Sequence, residues 1–176
     1  LAVGTDGPAS NNDQDMFEEM RLTALLPKGF SSSPTAVPAR DALAMATIGG
    51  AQVLQLDHLT GSLEAGKKAD IAVVDLGGPH TMPHFQLSDD NLYSQLVYAG
   101  KSSDVCHVLV NGRFLMRDRQ LLTLDEAEVI AQAQRIAQKI NTFMARREAD
   151  LLDKMVAIGE LEEREIYEVQ VKAEVD

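Results

Sequence analysis

The sequence pattern changes from helical to β-strand type at Gly61-Ser62-Leu63-Glu64-Ala65-Gly66-Lys67-Lys68-Ala69-Asp70-Ile71-Ala72-Val73-Val74-Asp75. Its first two glycines, Gly61 and Gly66, bracket a short segment that is typical of a tight turn between strands. The apolar run Ile71–Val74 that follows is rich in β-branched residues, which favour a pleated strand. This stretch therefore predicts a strand-turn unit at the start of a β-structure.

A hairpin is predicted downstream of this unit. The second β-rich run is Val105–Val110, and Asn111-Gly112 separates it from apolar residues 114–116. Asn-Gly between apolar segments is a strong hairpin signal, because both residues tolerate the positive φ of a two-residue turn. Between the two runs we expect a loop over 77–86 and a short helix over 89–98.

Upstream, residues 1–5 (Leu-Ala-Val-Gly-Thr) are short and apolar, which predicts the end of a fully buried strand. Residues 6–12 consist mostly of residue types that favour turns. We expect a helix after them, with Asn11 or Asn12 as N-cap and an end at residues 27–29. Its apolar stripe has helical spacing and consists of Met16, Phe17, Met20, Thr23 and Ala24.

Two more helical segments are expected before Gly61. One begins near Val37-Pro38, because proline is tolerated in the first turn of a helix. Gly49-Gly50 is expected to break it before a short helix over 51–56. The buried side of the first of these helices is predicted to consist of Ala42, Leu43, Met45 and Ala46.

The C-terminal third is predicted to be helical from about Leu124. Thr123 and Glu126 form a potential capping box. Apolar residues then follow at spacings of 4 and 3, which favours a helix packed on its own domain; two heptads are too few to indicate a coiled coil. An acidic helix from Glu160 and an edge strand or frayed end over 167–175 complete the prediction. The apolar residues of the long helix are Val129, Ala133, Ile136, Ile140 and Phe143.

Composition excludes several classes of function. The 176 residues contain 27 acidic residues against 16 Lys and Arg, a formal charge of −11, which argues against nucleic-acid and anionic-membrane partners. No run approaches the ~20 apolar residues of a membrane span. The single cysteine, Cys106, excludes an intrachain disulfide and favours a reducing compartment, the cytoplasm. Because the first residue, Leu1, opens an apolar run, we expect a piece of a larger protein.

Asp6 is the first candidate for chemistry. It follows the end of the predicted buried strand, where α/β barrels place their reactive groups. An Asp before Gly-Pro is also typical of a turn residue that binds its own backbone, and pattern alone favours that interpretation. Both interpretations stay open at this point.

The histidines give a weaker signal. His80 and His84 are four residues apart, but metal pairs at this spacing usually lie on a helix, and the two prolines in this segment argue against one. No Cys or Glu nearby completes a tetrahedral site. We interpret His58 and His107 as structural and Cys106 as a small buried hydrophobic residue.

A resemblance to a known family adds to these patterns. Residues 61–75 resemble the C-terminal signature of the amidohydrolase superfamily, and the hairpin 105–116 resembles that family's last strand pair. Residues 4–20 resemble the eighth-strand segment of the branch with methylthioadenosine and S-adenosylhomocysteine deaminases, triazine-type chlorohydrolases and guanine deaminase. Segments 79–81 and 96–99 are most similar to the first of these.

The resemblance implies an α/β fold that is the C-terminal part of a metal-dependent (β/α)8 barrel with a small β-sandwich. Residues 1–57 would form strand eight of the barrel and its following helices. Residues 58–122 would form part of the sandwich, and residues 123–176 the C-terminal helices and acidic tail. In the whole protein, the resemblance also implies a homo-oligomer.

By the same resemblance, Asp6 would bind zinc or another divalent metal and relay a proton, and Ser10, Asn11 and Asn12 would shape the loop beside the pocket. The implied reaction deaminates the adenine ring of methylthioadenosine or S-adenosylhomocysteine. Alternatives are hydrolysis of triazines or other heterocycles such as guanine, and a non-catalytic interaction module built on the helices of residues 124–158. The family's metal-binding histidines and ring-protonating glutamate have no counterpart here, so we expect the chain alone to be inactive.

Overall fold

The computed structural model describes residues 1–85 and 88–157, with the backbone alone for Asp89 and 152–157. The chain divides into two compact units, Leu1–Thr123 and Leu124–Asp176. The tail predictions, the acidic helix from Glu160 and the strand over 167–175, lie outside the described residues. The regular elements are α1 (Met16–Ser31), α2 (Ala39–Ala46), α3 (Ile48–Val53), β1 (Ile71–Val74), α4 (Asp89–Ser94), β2 (Val105–Val110), β3 (Arg113–Arg117), β4 (Gln120–Leu121) and α5 (Glu126–Ala157).

The four strands form one antiparallel sheet in the order β1-β2-β3-β4. Ile71 of β1 pairs with Leu109 of β2, and Val110 pairs with Arg113 across the hairpin turn. At that turn Asn111 has φ 50° and Gly112 has φ 75°. Two consecutive positive φ values match the turn expected for Asn-Gly. The predicted strands and hairpin are therefore confirmed.

The core of the first unit lies between α1, α2 and the turn of π-helix over Gln95–Ala99 that continues α4. Its buried members are mostly small, which allows close approach of the helix backbones. Of the stripe predicted for α1, Met20 and Ala24 are buried and Phe17 packs against the core. Of the side predicted for α2, Ala42 is buried, and Leu43 and Ala46 pack against the core. The core residues are Met20, Ala24, Ala39, Ala42 and Val97.

The N-cap of α1 is Asp15, so the prediction of Asn11 or Asn12 is wrong. The Asp15 carboxylate accepts hydrogen bonds from the backbone N–H groups of Phe17 (2.8 Å) and Glu18 (3.4 Å). Asn11 is engaged elsewhere, because its side-chain amide donates to Glu19 Oε1 at 2.6 Å. Several residues here can cap a helix, and tertiary contacts decide between them.

Helix α1 also continues through Pro27 to Ser31, beyond the end predicted at residues 27–29. The Lys28 ammonium donates to the carbonyl oxygens of Ala24 (2.7 Å), Ala36 (2.5 Å) and Val37 (2.8 Å). These bonds satisfy carbonyl groups around the last turns and tie them to the following loop. Such tertiary support offsets part of the cost of a proline within a helix.

The break between α2 and α3 lies at Thr47 and not at Gly49-Gly50, which are both inside α3. Thr47 has φ −120° and ψ −98°, outside the helical region. Its hydroxyl donates to the carbonyl oxygen of Leu43 at 2.8 Å, in place of a further helical bond. The helix therefore ends where a threonine competes for the backbone acceptor.

Helix α5 begins at Glu126, and its cap is Asp125 in place of the predicted Thr123. The Asp125 carboxylate accepts from the backbone N–H of Glu128 at 3.1 Å. Asp is as good an N-cap as Ser or Thr, and its charge also suits the positive end of the helix.

Residues 1–5 do not form the predicted buried strand. They carry no regular secondary structure, and Leu1 is 95% exposed. One backbone bond connects them to the helices, from Val3 N–H to the Met45 carbonyl oxygen at 3.3 Å. A parallel strand is stable only between neighbouring strands, and the described sheet provides none for this segment.

None of the helices in the described ranges combines the length and apolar character that crossing a bilayer requires.

Candidate functional site

Asp6 lies at the start of the loop that leads into α1. Its backbone is left-handed, with φ 59°, a conformation that Asp adopts more readily than most non-glycine residues. Asp6 Oδ1 accepts from the backbone N–H of Gly7 at 2.7 Å. The Asp6 carbonyl oxygen accepts from Gln14 Nε2 at 3.3 Å, which fixes the loop across its base.

This geometry combines the two interpretations of Asp6. The bond to Gly7 is the turn contact that the sequence pattern favours, while the residue itself is exposed. A left-handed, non-glycine backbone costs about 1–2 kcal/mol and is often found where function fixes a side chain. The carboxylate therefore accepts a hydrogen bond within its own turn and stays accessible.

The remaining loop residues are organised by Asn11. The backbone N–H groups of Ser10 and Asn11 both donate to the Gly7 carbonyl oxygen, at 2.9 and 3.0 Å. The Asn11 amide donates to Glu19 of α1 at 2.6 Å, so this residue fastens the loop to the helix. Ser10 and Asn12 are exposed on the same loop. The four predicted site residues therefore lie in this one loop, as their sequence positions require.

Helix α1 is in turn anchored to the segment before β2. Ser102 Oγ donates to Asp15 Oδ2 at 2.7 Å, and Arg21 Nη2 donates to the Gly100 carbonyl oxygen at 2.6 Å. These contacts join residues 87 and 79 positions apart. They fix the N-terminal end of α1, and with it the loop of Asp6. No sequence pattern identified Asp15, Arg21 or Ser102 as positioning residues.

A metal could use Asp6 as one ligand. Its carboxylate is a suitable oxygen donor for zinc, but catalytic zinc sites use about three protein ligands. Within 1–85 and 88–157, no group of three or more His, Cys, Asp or Glu side chains could hold a metal ion. The donor set therefore fits part of a metal site, which other ligands would have to complete.

His80 and His84 are directed to different partners. His80 Nε2 lies 2.8 Å from Asp104 Oδ2, and His84 Nε2 lies 2.8 Å from the Leu76 carbonyl oxygen. Asp104 is 7% exposed and also accepts from the backbone N–H of Lys101 at 2.9 Å. The hydrogen bond from His80 is the main reason that the pKa of Asp104 is below its ordinary value of 3.8. This pair ties the loop after β1 to the start of β2.

We predict that Asp104→Asn destabilises the fold. At neutral pH the variant should lose about 2 kcal/mol of unfolding free energy, because hydrogen bonds to a buried charged group are lost. The folded-state pKa is lowered, so the contribution of Asp104 is fully present above pH 3.8 and disappears as the pH falls through the lowered pKa. Urea unfolding at pH 7 and at a series of decreasing pH values below 3.8 tests this. A deficit that is equally large well below the lowered pKa would contradict it, and Asp57→Asn, at a half-buried turn position, is the control.

The other candidates have structural contacts. His107 Nδ1 accepts from the Asp118 N–H at 3.0 Å, and its ring packs edge-to-face on Phe114 at 6.1 Å. His58 lies in a turn. Cys106 is only half-buried, and its thiol donates to the Val73 carbonyl oxygen at 3.3 Å, so the prediction of a buried side chain is only partly met.

The comparison with protein families identifies the fold to which this loop belongs. Residues 1–115 match the amidohydrolase family. The chain belongs to that family. The resemblance of residues 4–20, 61–75 and 105–116 is thereby confirmed for the family as a whole.

Curated relatives of this amidohydrolase chain carry deaminase names. A 5-methylthioadenosine/S-adenosylhomocysteine deaminase of Moorella thermoacetica is 49% identical over 132 residues, covering 75% of the chain and 30% of the relative. A 5'-deoxyadenosine deaminase of Methanosarcina mazei is 45% identical over 140 residues, covering 80% of the chain and 31% of the relative. The chain spans about 30% of the length of the curated relatives it matches.

Solved structures give the same family. An adenosine deaminase from Xanthomonas campestris, crystallised with bound zinc, has a TM-score of 0.75 at 40% identity, covering 81% of the chain and 31% of that protein. An atrazine chlorohydrolase from Arthrobacter aurescens complexed with zinc has a TM-score of 0.62 at 29% identity, covering 73% of the chain and 28% of that protein. The first of these two is the more similar.

Proposed function

We propose that this amidohydrolase segment works in a protein that deaminates the adenine ring of methylthioadenosine or S-adenosylhomocysteine. The observation that carries the proposal is the 44–49% identity to relatives with these deaminase names over about three-quarters of the chain. The higher identity to the adenosine deaminase than to the atrazine chlorohydrolase supports the same choice. Hydrolysis of triazines or of other heterocycles, such as guanine, is the less favoured alternative.

Asp6 is the catalytic residue that this chain contributes. It accepts a proton from the attacking water while the C–O bond forms at C6 of the ring, and delivers that proton to the amino group as the C–N bond breaks and ammonia leaves. Proton transfer of this kind contributes typically 10²–10⁴ in rate. The left-handed backbone and the bond to Gly7 hold the carboxylate in one orientation for both transfers.

Asp6 is also proposed as one zinc ligand. When bound, zinc lowers the pKa of water to about 7. The other protein ligands are proposed to come from the rest of the longer protein; within 1–85 and 88–157 no group of three or more His, Cys, Asp or Glu side chains completes the site. Ser10 and Asn12 offer polar groups beside the pocket, and Asn11 keeps their loop on α1 through Glu19.

A large open cavity with an apolar lining supports the proposal that this segment belongs to a larger domain. An open cavity of about 560 Å³ lies within the first unit between α1, α3 and β1. Large apolar side chains are exposed as well, among them Leu1 at 95% and Phe30 at 89%. Large exposed apolar surface is typical of a place where another part of a protein packs. We therefore propose that 1–57 completes a barrel, 58–122 part of a sandwich, and 123–176 the C-terminal helices of a longer, homo-oligomeric protein. The single cysteine of this chain, Cys106, supports a cytoplasmic location.

An ammonia-release assay tests the substrate. The longer protein that carries this segment should release ammonia from methylthioadenosine, S-adenosylhomocysteine and 5'-deoxyadenosine, with a kcat/KM at least tenfold higher than for atrazine or guanine. A protein that turns over atrazine but none of the adenine compounds would reverse the assignment. A protein without activity towards either group, although folded and loaded with zinc, would contradict the proposed function.

A further inference from the structure

The hairpin turn between β2 and β3 contains a chemically labile pair of residues, Asn111 and Gly112. In an Asn-Gly sequence the backbone nitrogen of the glycine can attack the side-chain carbonyl carbon of the asparagine, because glycine has no side chain to hinder the approach. Every other asparagine of this chain is followed by a residue that carries a side chain. Asn111 is therefore the asparagine that would lose its amide group fastest if the chain had no structure.

The two residues before β1 hold this turn through its backbone N–H groups. Asp70 Oδ1 accepts a hydrogen bond from the backbone N–H of Asn111 at 2.6 Å. The Ala69 carbonyl oxygen accepts from the backbone N–H of Gly112 at 3.0 Å. The second bond engages the nitrogen that has to lose its proton and attack, and the first holds the residue that is attacked. Deamidation therefore requires a local opening of the turn in which these bonds break.

Asp70 supplies the stronger of the two bonds. A hydrogen bond from a backbone N–H to a carboxylate is charge-assisted, and such bonds are stronger than those between neutral groups. The Asn111 N–H is the main reason that the pKa of Asp70 lies below its ordinary value of 3.8, so the carboxylate is charged at neutral pH. Thr60 Oγ1 donates to the second oxygen, Asp70 Oδ2, at 2.9 Å and holds the carboxylate in place.

We propose that Asn111 is a latent deamidation site and that Asp70 keeps it in the amide form by holding the turn closed. When the turn opens, the Gly112 nitrogen gives its proton to hydroxide and attacks Cγ of Asn111. The new N–Cγ bond closes a cyclic imide, the Cγ–Nδ2 bond breaks, and the amide nitrogen takes a proton from water and leaves as ammonia. Water then opens the imide to aspartate or isoaspartate. No atom changes its oxidation state.

The isoaspartate product would alter the hairpin. Its main chain passes through the former Cβ atom, which adds one atom to the turn, whereas Val110 pairs with Arg113 across a turn of two residues. Register in a hairpin is set by the length and type of the turn. The closed turn therefore also preserves the pairing of β2 with β3. This inference does not depend on the proposed catalytic function.

Peptide mapping of the longer protein tests the proposal. After incubation in mildly alkaline buffer, trypsin cleaves behind Lys101 and Arg113 and releases residues 102–113, in which Asn111 is the only side-chain amide. Mass spectrometry then follows the conversion of the amide to the acid. Asp70→Ala should deamidate about tenfold faster than the unmodified protein, or more, because a lost charge-assisted hydrogen bond shifts the opening equilibrium by that factor. A synthetic peptide of residues 102–113 gives the rate without structure, and the unmodified protein should react about tenfold more slowly than this peptide, or slower still.

Asp75→Ala is the matched control. Asp75 directly follows β1, as Asp70 directly precedes it, and this exposed carboxylate also accepts from a backbone N–H, that of Gly77 at 2.9 Å. Its removal should leave the rate at Asn111 unchanged. Equal acceleration in both alanine variants would show a general loosening of the sheet and would overturn the proposal.

Two further results would overturn the proposal: a rate in Asp70→Ala equal to that of the unmodified protein, and a rate in the unmodified protein equal to that of the peptide. Circular dichroism shows whether Asp70→Ala is folded. If it is not, Asp70→Asn replaces it, because Asn keeps the size of Asp and an acceptor oxygen but loses the charge. Its rate should lie between those of the unmodified protein and the peptide, and an unchanged rate would count against Asp70 in the same way.

Discussion

Replacing Asp6 by Asn in the longer protein is expected to reduce the kcat for deamination of methylthioadenosine by 10²–10⁴-fold. The substitution removes the group that accepts and returns the proton, and general acid–base catalysis is worth this factor. Asn matches Asp in size and also tolerates the left-handed backbone, where φ is 59°. The loop should therefore keep its conformation while the chemistry is lost. Ammonia release under saturating substrate measures the effect.

Asp13→Asn is the matched control for this prediction. Asp13 is an exposed carboxylate on the same loop, and it accepts from the Asp15 backbone N–H at 3.3 Å. We expect the kcat of the Asp13→Asn variant to stay within about threefold of that of the unmodified protein, since Asp13 has no part in the proposed proton transfer. The zinc content of the Asp6 variant should fall as well. A kcat for Asp6→Asn that matches the control would contradict the proposed role.

Gly61→Ala is expected to destabilise the first unit by about 3 kcal/mol. Gly61 has φ 90°, and a Cβ atom there would lie 2.7 Å from Ala51 Cβ and 3.0 Å from Ile48 Cα. A side chain at such a φ costs about 1–2 kcal/mol. Overpacking against a helix backbone costs about 1–3 kcal/mol more. The midpoint of urea unfolding should fall accordingly, with an unchanged slope.

Gly66→Ala separates these two causes. Gly66 has φ 93°, but a Cβ atom there would meet nothing within 4 Å. Only the backbone cost applies, so Gly66→Ala should lower the free energy of unfolding by about 1–2 kcal/mol. Equal losses for the two variants would show that the packing of the turn on α3 does not contribute, and would contradict the argument.

The sheet could be predicted because its signals are local. Ile71–Val74 and Val105–Val110 are short β-branched runs, and Asn111-Gly112 fits a turn that few other dipeptides form. Each signal depends on neighbours in the sequence, so no tertiary information was needed. The central residues of the α1 stripe were predictable for the same reason.

The predictions that were wrong concern features that depend on residues far apart in the sequence. The cap of α1 is Asp15, which Ser102 holds by a hydrogen bond across 87 positions. Residues 1–5 have the composition of a buried strand but need neighbours that the described chain does not offer. The proposed role of Asp6 rests on its place after an apolar run and on family resemblance. The pair of His80 and Asp104 was missed, because its members are 24 positions apart in the sequence.

The central claim is that Asp6 is one of several groups that together activate water, and that the others lie outside these 176 residues. The most direct test is the ammonia released from methylthioadenosine by the 176-residue chain alone in the presence of zinc, with the Moorella thermoacetica relative assayed alongside. We predict no release above that of the buffer from the chain and steady turnover by the relative. Sustained turnover by the chain alone would contradict the account.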